Sequence, residues 1–418
     1  MRCLTGCCMG AAALFASVVL APSEAAGKES YRLIRAPHGK HFSHVLELNM
    51  GPFEIPATQD REACQYVELP YDKMPARCIP GDNPGDPPTC GVFFVGYQVS
   101  MMGGSSHHFI FWSYEGSEEG SRQFPHGIHD SIACLDFGPP DTIHTRVGGS
   151  QTPHVHAVFP AGVAQPLKAF ADARGKPHGI GLILDSHYLA TGKASKAIVR
   201  LKIFLARVGT IRRIGKLLFD PVGCGYIDVP PGQVRTVGSD WEVGGPDLPV
   251  VGGPPQNDAC VLFTSGHMHK RGLLFTTDLI DAQGTHRVNE TTDWEHIPNV
   301  SFVPPLLMTR GMKFRYACTQ DNGVSTAVRM GCELEPGVPP GISLFAAYTT
   351  YNKLDGSAHR CVTDADCTGV GTGRCVPANL VFGFTSDDEM CVLPGMYFDA
   401  FRDAPPGREC DISLGAPR

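Results

Sequence analysis

Short runs of bulky apolar residues, each closed by glycine or proline, recur along the chain and predict β-strands. Clear examples are Val92–Ser100, Gly179–Leu189 and Ala197–Leu205. The first part of Gly179–Leu189 is apolar on both faces, which is typical of a strand covered on both sides. Only 18% of the residues are charged, while glycine and proline number 48 and 35. We therefore predict an all-β chain with many loops.

The length of 418 residues indicates two domains, which we place at residues 31–206 and 215–418. Residues 1–25 predict an export signal, with a short apolar core and a small-X-small cleavage site at Ser23-Glu24-Ala25. That core is too short to cross a bilayer and no later run is long enough, so we expect a secreted or periplasmic chain without a membrane span. A formal charge of −7 without any basic block makes nucleic acid an unexpected partner.

The cysteines indicate disulfides. Of sixteen cysteines, three lie in the predicted signal, so thirteen remain and one is left over. No Cys-X-X-Cys spacing occurs, which argues against zinc ribbons and thioredoxin-like redox sites. The segment at about 353–378 holds Cys361, Cys367 and Cys375 with almost no large apolar residues. We predict a surface insertion that closes on itself or onto Cys332.

Candidate metal ligands begin with His267-Met268-His269, which follows the apolar run Ala259–Phe263. Residues two apart on a strand point to the same side, so His267 and His269 make half of a site for zinc, copper or iron. The alternative is one packed histidine and one solvated histidine. A second such motif, His154-Val155-His156, lies among prolines and is interpreted as structural.

His107 and His108 follow a Gly-Gly turn at the start of another predicted strand. Adjacent residues on a regular strand face opposite ways, so the two could bind one metal only at a strand end or a β-bulge. Gly103-Gly104 permits such a distortion. His187 lies near the end of the buried run Gly179–Leu189, where sites are often built.

These residues, taken with several landmarks in order, resemble the copper type II, ascorbate-dependent monooxygenases. This is the family of peptidylglycine α-hydroxylating monooxygenase and dopamine β-monooxygenase. The landmarks are Cys64–Pro70, Tyr97–His108, Ile227–Gly232, Arg315–Cys318 and Asp388–Cys391. The resemblance implies two antiparallel β-sandwich domains, jelly-roll-like and in tandem, which face each other across a water-filled cleft. Each would hold one copper.

The resemblance also assigns residues. The ligands of an electron-transfer copper would be His107, His108 and His187. The copper that meets dioxygen and substrate would be held by His267, His269 and Met390. A thioether favours cuprous copper, although Met390 taken alone is typical of an apolar core. A disulfide between Cys318 and Cys391 is implied too.

The implied activity is hydroxylation of a C–H bond by dioxygen with ascorbate as reductant. In the peptide-hydroxylating branch, an arginine and a tyrosine anchor the substrate carboxylate, and here their positions are Ser265 and Pro394. Neither offers a charged grip, so we expect a small apolar or aromatic substrate, with Arg271 as a partial replacement anchor. Two alternatives stay open. One is a single-metal, cupin-like oxygenase with a carboxylate near the His-X-His motif. The other is a secreted copper-binding protein without turnover.

Overall fold

A computed structural model of the chain describes residues 31–58, 60–81, 85, 88–130, 134, 144–222, 227–245, 254–333, 361–369, 371–381 and 389–414. The predicted signal at residues 1–25 lies outside these ranges, as do residues 353–360 of the predicted insertion. Almost every regular element is a β-strand, which confirms the all-β prediction. No helix within the described ranges is long and apolar enough to cross a membrane.

The strands before Gly215 belong to two sheets. They are β1 (Tyr31–Arg35), β2 (Phe42–Ile55), β3 (Arg61–Pro70), β4 (Arg77–Ile79), β5 (Thr89–Met102), β6 (Ser105–Tyr114), β7 (Ile128–Asp130), β8 (His144–Ser150), β9 (His154–Val158), β10 (Val163–Lys168), β11 (Phe170–Ala171), β12 (Pro177–Leu189), β13 (Ser195–Ala206) and β14 (Arg213–Ile214). Sheet one has the order β1-β2-β13-β5-β10-β14, with β4 and β9 also paired to β5. Sheet two has the order β7-β3-β12-β6-β8, with β11 paired to β12.

The strands after Gly215 belong to two further sheets and two short ribbons. They are β15 (Lys216–Pro221), β16 (Asp228–Val229), β17 (Gln233–Glu242), β18 (Ala259–Thr264), β19 (His267–Met268), β20 (Gly272–Asp281), β21 (Gly284–Thr291), β22 (Val300–Met308), β23 (Lys313–Asn322), β24 (Met330–Cys332), β25 (Cys375–Pro377), β26 (Leu380–Val381) and β27 (Cys391–Asp399). Sheet three runs β15-β27-β18-β22 with β19 on β27, and sheet four runs β17-β23-β20-β21. The ribbons are β16-β26 and β24-β25.

Helical structure is confined to single turns in the described residues. An α-helical turn spans Glu118–Ser121, and 3₁₀ turns span Tyr71–Lys73, Asp364–Cys367 and Ile412–Leu414. The Ser117 hydroxyl caps the α-helical turn by accepting from the Gly120 N–H at 3.0 Å. This satisfies one of the amide donors that every helix start leaves without a partner.

Sheets one and two enclose the first apolar core. Leu46 and Leu201 come from sheet one, while Val67, Phe109 and Leu182 come from sheet two, and all are buried in one cluster. Each such side chain contributes about 1.5–3 kcal/mol when it leaves water. Alternation along the strands therefore sends one face of each sheet into this layer, as in a β-sandwich.

Sheets three and four enclose a second core in the same way. Val261 and Val392 of sheet three pack with Trp241, Phe275 and Phe314 of sheet four. A smaller apolar cluster joins the two halves of the chain: Val163 of β10 packs with Leu262 of β18 and Phe398 of β27. The second pair of sheets thus lies against the first through apolar contacts.

Six disulfides cross-link the described cysteines. They are Cys64–Cys134, Cys78–Cys90, Cys260–Cys410, Cys318–Cys391, Cys332–Cys367 and Cys361–Cys375. The last two close the described part of the Cys-rich insertion on itself and onto Cys332. Of the thirteen cysteines after the predicted signal, the remaining one, Cys224, lies outside the described residues. Bridging of this density fits an oxidising compartment.

Candidate metal centre

A β-bulge in β6 places His107 and His108 together. His108 lies opposite His187 of β12, but the next paired residues are Ser106 and Tyr188, so His107 is the extra residue. The bulge turns both imidazoles toward His187, with ring centroids 5.0–5.3 Å apart. All three histidines are at most 3% exposed. The distortion that the sequence required for these neighbours to share a site is therefore present.

The predicted strand through His267 is broken into three parts. β18 and β19 pair with β27 in sheet three, whereas the chain enters sheet four at Gly272. His269 lies at this crossing, and its ring centroid is 5.0 Å from that of His267. Gly266 permits the close packing before the crossing, since a Cβ there would meet the Phe275 ring at 2.4 Å.

The histidines of the two halves meet in one cluster. The ring of His107 lies 5.6 Å from those of both His267 and His269, and His108 lies 5.4 Å from His267. His187 and His269 are 6.3 Å apart. One ligand nitrogen each from His107, His108 and His267 lies within 4.8 Å of the others. The two ligand sets that the resemblance keeps apart are thus adjacent in the structure.

Burial favours the neutral form of three histidines in this cluster. Loss of hydration, followed by the neighbouring imidazoles, lowers the pKa of His107, His108 and His267 well below the usual value. The neutral ring offers a lone pair, which is the form of histidine that binds metals. Protonation would place several positive charges within about 5–6 Å of one another in a low-dielectric site.

Several of the histidine ring nitrogens make no hydrogen bond to any described residue. Within the described ranges, Nε2 of His107, Nδ1 of His108 and both ring nitrogens of His187 have no hydrogen-bond partner. An unsatisfied buried polar group costs about 1–3 kcal/mol. Bonds of about 2 Å to one ion would bring the nitrogens to about 3.3 Å from one another. Closely spaced, buried imidazole nitrogens of this kind fit copper or zinc.

Gln151 fixes the orientation of His267 from the other half of the chain. Its amide nitrogen donates to the Gly266 carbonyl at 2.7 Å, so its amide oxygen must face Nδ1 of His267 at 3.3 Å. Nδ1 therefore carries the proton and Nε2 has the free lone pair. Sequence reasoning missed Gln151, since nothing local links residues 151 and 267.

Met390 lies immediately before β27 and packs in the second apolar core at 8% exposure. His267 pairs with Val392 and Met268 with Cys391. One residue beyond this pairing, one strand reaches the crossing at His269 and the other reaches Met390. Met390 thus belongs to the apolar core and stands beside the histidine crossing.

Glu389 holds the crossing itself. Its fully buried carboxylate accepts from the N–H of His269 at 3.2 Å, the N–H of Arg271 at 3.0 Å and the Gln320 amide at 3.2 Å. Burial raises the pKa of Glu389 to about 8, against the opposing effect of these donors. The single-metal, cupin-like alternative requires a carboxylate near the His-X-His motif. Glu389 is such a carboxylate, and here it accepts hydrogen bonds from backbone amides.

Three more carboxylates border the cluster on the side of sheet two. Glu62 Oε1 lies 3.3 Å from His108 Nε2, and Asp60 Oδ2 lies 3.8 Å from His187 Nε2. Asp185 is fully buried two residues before His187. Only Asp185 left a signal in the sequence, as a carboxylate inside an apolar run on the same strand face as His187.

The remaining sequence candidates lie elsewhere or are engaged. His154 and His156 are exposed on β9, which pairs with β5 in sheet one. Ser265 is buried, its hydroxyl donates to the Ile297 carbonyl at 3.3 Å, and its N–H donates to the carbonyl of Pro394. Arg271 is 5% exposed and lies beside Glu389. It does not stand open as a carboxylate anchor.

No family model matches the chain, and no curated protein matches its sequence. The resemblance to the copper monooxygenases therefore rests on the order of short motifs and on their residue types. Those motifs lie on strands that converge: β6 and β12 bring His108 and His187 together, and β19 and β27 bring His267 and Cys391 together.

Proposed function

We propose that the chain is an exported copper-dependent monooxygenase that hydroxylates a C–H bond of a small organic substrate. It would hold two copper ions and use dioxygen with ascorbate as the two-electron reductant. One oxygen atom enters the substrate and the other leaves as water. The observation that carries the proposal is the convergence of five buried histidines, singled out by their motifs, from separate strands of both halves.

The chain's own residues would bind and orient. His107, His108 and His187 come from sheet two, and His267 and His269 arrive from the crossing between sheets three and four. Copper, when bound, supplies the one-electron chemistry that dioxygen activation needs. Neutral imidazoles accept both copper oxidation states, and the thioether of Met390 beside His269 would favour the cuprous state.

The substrate is expected to lack a carboxylate anchor. Ser265 and Pro394 hold each other through a backbone hydrogen bond of 2.8 Å, and Arg271 is buried beside Glu389. A carboxylate brought to these positions would lose water without gaining a charged partner. We therefore infer that glycine-extended peptides are poor substrates and that a small apolar or aromatic molecule is hydroxylated.

The test is metal content together with oxygen uptake on the purified chain. We expect two coppers, and oxygen consumption that requires both ascorbate and an acceptable substrate. His267→Ala should abolish uptake, whereas the exposed His156→Ala should match the wild type. A single iron or zinc in the wild type would favour the single-metal oxygenase and refute the proposal. Efficient hydroxylation of a glycine-extended peptide would refute the substrate inference alone.

A second candidate is a copper-binding protein without turnover. It is favoured by one observation: none of the five histidines is more than 9% exposed. Closed metal sites are typical of structural roles, while catalytic sites keep an open position. Copper binding at full stoichiometry without ascorbate-dependent oxygen uptake, across a panel of apolar and aromatic substrates, would select this candidate.

A further inference from the structure

Glu62, His108 and Asp185 form a second group of potential ligands beside the histidines. One ligand atom from each lies within 4.8 Å of the other two. They come from three adjacent strands of sheet two, β3, β6 and β12. In the register, both Glu62 and His108 lie opposite His187, and Asp185 lies two residues before it. The four side chains therefore share one face of the sheet.

Both carboxylates of this group are shielded from water. Asp185 is fully buried, and the side chain of Glu62 is only 8% exposed. Buried carboxylates are costly unless a positive group or a metal offsets them.

A separate observation points to a ligand. His187 is fully buried at the centre of the row, and neither of its ring nitrogens has a hydrogen-bond partner among the described residues. Its Nε2 lies 3.8 Å from Asp60, which is too far for a hydrogen bond, while the other oxygen of Asp60 accepts from the Ala190 N–H. A metal ligand is the role that such a nitrogen can fill.

We propose that Glu62, His108 and Asp185, with His187 beside them, form a carboxylate-bearing metal position that adjoins the position formed by His107 and His267. This inference shares with the proposed function only the assumption that the histidine cluster binds metal. Carboxylate oxygens are hard ligands, so this position prefers zinc, ferrous iron or cupric copper over cuprous copper. The centre would then have two unlike positions, with His108 lying between them.

The test is zinc binding to the metal-stripped full chain, with elemental analysis and calorimetric titration. We expect two zinc ions in the wild type and one in the double variant Glu62→Gln/Asp185→Asn, in which the second ion is lost by at least about 100-fold in affinity. The control Glu68→Gln/Asp130→Asn removes two exposed carboxylates of the same sheet and should bind two ions. Circular dichroism and thermal unfolding verify that each variant is folded.

A second measurement covers a variant that fails to fold. The His267→Ala variant lacks the neighbouring position and is loaded with one cupric ion. Adding Glu62→Gln to it should change the electron paramagnetic resonance parameters toward more nitrogen and less oxygen ligation. An unchanged spectrum, or two zinc ions in the double variant, overturns the inference. Equal weakening of both ions also overturns it, because the carboxylates would then only orient His108. Two ions without oxygen uptake would refute the proposed function and leave this inference standing.

Discussion

Gln151 should control metal affinity although it binds no metal itself. It is contributed by the first half of the chain, and its two hydrogen bonds reach Gly266 and His267 of the second half. In Gln151→Ala, the proton of His267 is no longer directed to Nδ1, and the loop before the ligand loses its cross-link. We expect the fold to persist, because Gln151 follows directly after β8 and lies outside both apolar cores.

The magnitude follows from the two contacts. A hydrogen bond contributes about 0.5–1.5 kcal/mol net, so the pair contributes about 1–3 kcal/mol. Since about 1.4 kcal/mol is a factor of ten in a binding constant, the metal affinity should fall about 10–100-fold. That range agrees with the usual effect of removing a group that orients a metal-binding histidine.

The assay is competition with a chelator of known affinity, starting from the metal-stripped protein. Gln151→Glu keeps an oxygen facing Nδ1 of His267 but sets its other oxygen against the Gly266 carbonyl, so it should recover only part of the affinity. Gln98→Ala, an exposed glutamine of β5, is the control. The reasoning is refuted if Gln151→Ala binds metal within about twofold of the wild type.

Three further outcomes are expected. Replacing Cys318 and Cys391 by alanine opens a loop with a sequence separation of 73, which should lower the free energy of unfolding by about 4 kcal/mol in denaturant titrations; a loss below about 1 kcal/mol would contradict this. Met390→Leu conserves volume and should cost less than about 1.5 kcal/mol, yet weaken cuprous binding in competition titrations; unchanged affinity would leave Met390 a core residue only. Burial raises the pKa of Asp220 to about 6, so the folded state binds a proton at this carboxyl more tightly than the unfolded chain does. The free energy of unfolding therefore falls by up to about 3 kcal/mol as the pH rises from 4 to 6. Asp220→Asn should flatten that fall in denaturation midpoints, and an unaltered slope would contradict the assignment.

Strands could be predicted from the sequence wherever burial imposes a local pattern. Ala197–Leu205 lies within β13, and Gly179–Leu189 lies within β12. The region after Ala259 is harder to predict, because β18 and β20 both carry apolar runs yet belong to different sheets. Periodicity reports which residues are buried and does not report which partner buries them. The chain crossing at His269 therefore emerged only from the structure.

The same limit applies to the site. His-X-His and His-His are local motifs, so four of the histidines could be selected as candidates from spacing, and His187 from its place near the end of a buried run. Glu62 becomes relevant only through the pairing of β3 with β12, and Gln151 only through the contact between the two halves. Such long-range pairings have no local sequence signal. Polar groups that orient ligands are therefore harder to predict than the ligands themselves.

The two ends of the centre differ in how strongly they attract a cation. One end consists of imidazoles that burial keeps neutral, and the other holds the buried carboxylates Glu62 and Asp185. At an effective dielectric constant of about 20, a divalent ion about 4 Å from a carboxylate gains about 8 kcal/mol before the cost of its dehydration. Neutral ligands alone provide no such attraction. Metal affinity should therefore depend on the carboxylates as strongly as on the histidines, whatever chemistry the bound metal then performs.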